Sequence, residues 1–167
     1  MNVEEALKTA LEFEEKVRDA YREMAEAEGS EIGKDLFGLL AHEEQHHVEY
    51  LESRLSEWRR AGLITAEGLE TAVPRRAAVE AGVKKLAKEA TGPIRGGEVE
   101  MLRRALHMET EASDFYKRMV DELPEVARAL FARFVEIEDG HTAIVQAELD
   151  YATGSGFMFD FRDFGIV

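Results

Sequence analysis

The chain has 167 residues, 21 Lys+Arg against 35 Asp+Glu, and no cysteine. A net charge of −14 argues against general binding to nucleic acid or an anionic membrane surface, and without thiols there is no disulfide, thiolate nucleophile, iron–sulfur cluster or cysteine-built zinc site. The acidic, interrupted N-terminal stretch reads as no signal peptide, and no run approaches the length of a membrane span, so a cytoplasmic location is expected.

The first periodic segment runs from Asn2 to Ala27, with Val3, Leu7, Ala10, Val17, Tyr21 and Met24 on one helical face, and stops at Gly29. A second, roughly Glu31 to Trp58, repeats the pattern through Phe37, Leu40, Val48, Leu51 and Leu55, with Ser30 as its candidate cap. A long glycine-rich crossover follows, about 59–97, containing Pro74 and Pro93. Within it Arg75 to Ala90 predicts an amphipathic helix on Ala78, Val79, Val83, Leu86 and Ala87. Eight basic and four acidic residues between Arg59 and Arg95 give this crossover +4, which leaves −18 on the rest of the chain. The third and fourth long helices are expected at about Glu98–Glu122 and Pro124–Thr153, with Pro124 at the first helical position.

Short connections make each helix pair an antiparallel hairpin, and the crossover allows the second and third helices to run parallel. The expected fold class is therefore all-α, a ferritin-like four-helix bundle of two hairpins joined by one long crossover, spanning residues 1–153. The remaining residues, 154–167, form a separate tail. After Gly154-Ser155-Gly156 it carries Phe157, Phe159, Phe161 and Phe164, which are expected to dock on the bundle or on another subunit.

The two hairpins are copies of one another. ALEFEEKVRDAY at 10–21 aligns with ALHMETEASDFY at 105–116, and LFGLLAHEEQHH at 36–47 aligns with LFARFVEIEDGH at 130–141. Glu14 and Glu44 are 30 residues apart and Glu109 and Glu138 are 29 apart. All four interrupt an apolar stripe, and His47 and His141 follow one turn after Glu44 and Glu138. Converging buried carboxylates need countercharge, and divalent metal supplies it. One Glu from each of two helices and a Glu-x-x-His from each of the others is the di-iron or di-manganese pattern of ferritin-like bundles. Four carboxylates balance two divalent ions, and the mixed oxygen and imidazole donors suit iron or manganese; zinc would also bind, without redox chemistry.

The candidate metal ligands are thus Glu14, Glu44, His47, Glu109, Glu138 and His141. HEEQHH also contains Glu43-x-x-His46, an alternative frame; alignment through Phe37 and Phe131 favours Glu44 and His47, leaving His42, His46 and His107 as surface histidines. Tyr21 and Tyr116 lie two turns from Glu14 and Glu109, either as plain core aromatics or as hydrogen-bond partners of the carboxylates. Clustered without metal, the acids are expected to have raised pKa values, so that Glu14→Gln or Glu109→Gln would stabilise the metal-free form.

These residues resemble the rubrerythrin family, specifically its ferritin-like di-iron domain, over both hairpins. The resemblance implies a non-haem centre of two iron ions at Glu14, Glu44, His47, Glu109, Glu138 and His141, often used to reduce hydrogen peroxide. Typical rubrerythrins add a rubredoxin-like domain whose iron is held by four cysteines; this chain has none, so the resemblance implies a separate electron-donor protein. Many also carry a glutamate three residues after the third-helix ligand, where Ala112 stands here. The six-residue set is also similar to the bacterioferritin ferroxidase centre. The expected function is reduction of hydrogen peroxide or dioxygen by a di-iron centre, with ferroxidase iron handling or non-catalytic metal binding as alternatives, in a homo-oligomer, a dimer.

Overall fold

The computed structural model describes residues 1–27, 31–86 and 96–154. Among them are five helices and no strand: α1 (Val3–Ala27), α2 (Glu31–Ala61), α3 (Arg76–Leu86), α4 (Gly96–Glu122) and α5 (Glu125–Ala152). The all-α expectation stands, and every helix lies within three residues of its expected start. The Ser30 cap, the far end of the crossover helix and the four tail phenylalanines lie outside the described residues.

Local chemistry explains where the helices begin and end. Asn2 accepts a hydrogen bond from the Glu5 amide (2.9 Å), and the Glu5 carboxylate accepts one from the Asn2 amide (3.0 Å). This reciprocal capping box satisfies two donors that α1 would otherwise leave open. Pro124 accepts the first bonds of α5 through its carbonyl, from the amides of Ala127 and Arg128. It therefore sits at the cap itself, one residue before the expected position. Helix α2 runs on past Trp58 to Ala61, and Gly62, at φ 64°, closes it by donating to the Trp58 carbonyl at 2.8 Å. A left-handed residue is needed at that site, and glycine takes it without strain. Arg59 and Arg60 consequently belong to α2 rather than to the crossover.

The chain divides into two compact units. The first contains residues 1–70 and 111–135. Here α1 packs along α2 as an antiparallel hairpin: Arg59, near the end of α2, reaches Glu4, at the start of α1, with 3.0 Å between Nη2 and Oε1. The core is built from Leu7, Val17 and Met24 of α1, Leu36, Phe37, Leu40 and Leu51 of α2, and Phe115, Tyr116, Phe131 and Phe134 of α4 and α5. The start of the crossover is tied to this unit by Tyr50, whose hydroxyl donates to the Thr65 carbonyl (2.9 Å), and by Arg133, which donates to the Leu69 carbonyl (3.2 Å).

The second unit contains residues 71–110 and 136–167. Leu102, Ala105 and Met108 of α4 and Ile137, Ile144, Val145 and Leu149 of α5 form its core, with Val73 and Val79 from the crossover. Helix α3 buries Val79 but leaves Ala78 exposed, so its apolar face is narrower than the sequence pattern suggested. The crossover presses directly on α5: a Cβ added at Gly140 would lie 2.6 Å from the Pro74 carbonyl oxygen. Among the described residues, no helix is long and apolar enough to cross a membrane.

Candidate metal centre

Each unit contains one buried cluster of two glutamates and a histidine. In the first, Glu14 projects from α1 and Glu44 and His47 from α2, where their three-residue spacing places them on one face. Nδ1 of His47 lies 3.0 Å from Glu14 Oε2 and 2.9 Å from Glu44 Oε2. In the second unit, Nδ1 of His141 lies 3.8 Å from Glu109 Oε2 and 3.7 Å from Glu138 Oε2. All six residues are at most 1% exposed. Within each trio the prospective ligand atoms lie within 4.8 Å of one another, close enough to share one ion.

Packing holds these groups in place. The His47 ring meets Phe134 edge-on, 5.3 Å between centroids, and Phe134 in turn stacks on Tyr116 at 4.6 Å. The Tyr116 hydroxyl donates to Glu14 Oε1. Tyr116 is thus more than a core aromatic. For Tyr21, the ring stacks against Phe37 at 6.1 Å and is fully buried.

The Glu14 carboxyl reverses one expectation. Burial alone would raise its pKa, but hydrogen bonds from Glu44, His47 and Tyr116, together with the His47 charge, outweigh it and hold the group down at about 2. The sequence pattern showed the clustered acids but not the donors aimed at them, and it is the donors that decide the sign.

Burial separates the two histidines of the α2 motif. His47 is inaccessible, whereas His46 is exposed and its ring contacts that of His42 at 4.3 Å. His107 is exposed too. Glu43, named from the sequence only as part of the alternative frame, is buried too, with a carboxylate oxygen within 4.8 Å of a His47 ring nitrogen. Its place in the less favoured Glu43-x-x-His46 frame was the available signal, since both glutamates of the pair are buried. Buried Glu98 and Glu148 in the second unit were also unexpected.

The donor set is the one that hard and borderline divalent metals favour, carboxylate oxygens with one imidazole per trio and no sulfur, and it fits iron or manganese. The Rubrerythrin family model matches residues 5–149, which takes in all six residues and both hairpins. The chain belongs to the rubrerythrin family. Its fold is accordingly the all-α ferritin-like bundle, and membership of this family implies a di-iron carboxylate protein. No curated protein and no solved structure matches the chain at a significant level. Within the family pattern, the third-helix position often occupied by an additional glutamate holds buried Ala112.

Proposed function

We propose that this protein reduces hydrogen peroxide, or dioxygen, at a centre of two iron ions held by Glu14, Glu44, His47, Glu109, Glu138 and His141. The observation that carries the reading is the repeated trio, a carboxylate facing a Glu-x-x-His pair, buried to 1% exposure or less in each half of a rubrerythrin-family chain. The two ferrous ions would supply the two electrons that, with two protons, convert one hydrogen peroxide to two waters. The protein's own contribution is to fix ligand orientation and to keep the site dry. Phe134 packs edge-on against His47, and Tyr116, stacked on Phe134, holds Glu14 by a hydrogen bond. Such outer hydrogen bonds orient ligating carboxylates and tune the metal they hold.

The return electrons come from a donor outside these 167 residues, since none of them is a cysteine that could hold a further iron. A donor protein with a basic face would complement the net charge of −14. A dimeric or larger homo-oligomer in the cytoplasm is part of the same proposal. Ala112 favours a second reading: without the additional glutamate the ligand set is symmetric, as in the bacterioferritin ferroxidase centre, and the reaction would be oxidation of Fe(II) as substrate.

The test is anaerobic loading with two Fe(II) per chain, followed by stopped-flow mixing with hydrogen peroxide or dioxygen. One peroxide consumed per two irons, and repeated turnover only with an added donor, supports peroxide reduction. Faster reaction with dioxygen and continued oxidation of excess Fe(II) into a soluble mineral favours the ferroxidase reading. Metal that binds but reacts with neither contradicts both.

A further inference from the structure

We infer that His42 and His46 form a separate, exposed metal site, a two-imidazole chelate for a borderline divalent ion, copper(II) above all.

The two histidines stand one turn apart on the solvent side of α2, both exposed, whereas Glu43, Glu44 and His47 beside them are buried. Residues four apart are neighbours on a helix face, and here the two rings meet at 4.3 Å between centroids. Among the described residues no hydrogen bond or ion pair engages either ring. A neutral imidazole offers one nitrogen lone pair, and two histidines at this spacing on one helix can hold a single divalent ion between them.

The pair has no counterpart in the other hairpin, where the aligned positions are Glu136 and Gly140. There the crossover lies against the helix, and the Pro74 carbonyl oxygen takes the space that a side chain at 140 would need, 2.6 Å from an added Cβ. The matching face of α2 is open. Nothing lies within 4 Å of a Cβ added at Gly38, and His42 lines a groove of about 370 Å³ with Arg22, Glu26 and Gln45. Arg22 is engaged by Gln45 at 2.9 Å and by Asp19 at 3.6 Å, and its charge is offset by Glu26, so the nitrogen donors decide what binds.

Those donors select the ion. Among the described residues no carboxylate joins the pair in a group able to share one ion, in contrast to the buried trios. Two imidazoles, with water in the remaining positions, favour copper(II), which heads the divalent series, whereas Fe(II) stands low in it. Iron held by the trios therefore does not draw on this pair.

The test is retention of the untagged full chain at pH 8 on copper(II) held by an iminodiacetate resin. An immobilised ion stays outside the trios, whose residues are at most 1% exposed, so retention reads surface histidines alone. The wild type should be retained and released by imidazole. His42→Ala and His46→Ala should each weaken the partition constant by roughly tenfold or more, because the second imidazole of a chelate binds intramolecularly. The double variant should be little weaker than either single one. His107 is exposed and has no histidine three or four residues away, so His107→Ala should stay within twofold of wild type. Single variants that weaken retention less than twofold would overturn the site. A double variant whose loss is the product of the two single losses would overturn it too, since the imidazoles would then act independently.

Discussion

Tyr116 donates a hydrogen bond to Glu14 from 102 residues away, linking α4 to α1 at a buried carboxylate. The ring is fixed by stacking on Phe134, so the hydroxyl arrives already oriented. Tyr116→Phe should keep that packing and remove only the donor. A hydrogen bond to a charged group contributes about 1.5–3 kcal/mol, and the metal-free variant should lose that much in urea unfolding. A loss below about 0.5 kcal/mol would mean that the bond contributes little, as a neutral surface substitution would.

The pH dependence follows from the same carboxyl. Its pKa is about 2 in the fold against an ordinary 4.5. A depressed carboxyl pKa contributes stability above 4.5, and that contribution is lost as pH falls toward 2. Urea midpoints of the metal-free protein at pH 7, 4.5 and 3 should therefore decline in that order. Glu14→Gln should be destabilising at pH 7 and should flatten the decline. A Gln variant more stable than wild type at pH 7 would restore the expectation of mutually repelling acids.

Two helical glycines should respond oppositely to the same change. Gly140→Ala drives a Cβ to 2.6 Å from the Pro74 carbonyl, a backbone atom beside the His141 segment. Overpacking of this kind costs about 1–3 kcal/mol. Gly38 has nothing within 4 Å of an added Cβ, and its counterpart in the other hairpin is Ala132. Gly38→Ala should stabilise by about 0.5–1 kcal/mol, the ordinary helical gain over glycine. Thermal unfolding of both variants checks the pair, and similar effects at the two sites would contradict the close approach at Gly140.

The helices were legible because each long segment carries its own 3.6-residue period and a stop signal. The duplicated hairpin then exposed the six inward acids and histidines without any structural knowledge. What escaped the sequence depends on contacts between distant segments. The Tyr116 bond could be named as an option but not chosen over plain packing, because sequence spacing does not orient a hydroxyl. The sign of the Glu14 shift required knowing which donors face it. The burial of Glu43 escaped for a related reason: one helical register was chosen for the pair, whereas α2 buries both Glu43 and Glu44. The Asn2–Glu5 capping box lay within reach, since a capping side chain followed three residues later by Glu is a local signature.

The α2 register has a direct functional test. His46 is exposed and His47 is buried between Glu14 and Glu44. His46→Ala should leave stability within about 0.5 kcal/mol of wild type and leave iron uptake unchanged. His47→Ala should remove one bound iron per chain. Elemental analysis after gel filtration distinguishes the two, and loss of iron in His46→Ala would restore the alternative frame.

The central claim is that the two trios together hold two iron ions. Anaerobic Fe(II) titration of the metal-free chain, with bound iron counted by Mössbauer spectroscopy on 57Fe, tests it most directly. Wild type should saturate at two irons per chain, and Glu44→Ala and Glu138→Ala should each lose at least one. Saturation of the wild type at one iron, or uptake unaffected by either substitution, would contradict the account.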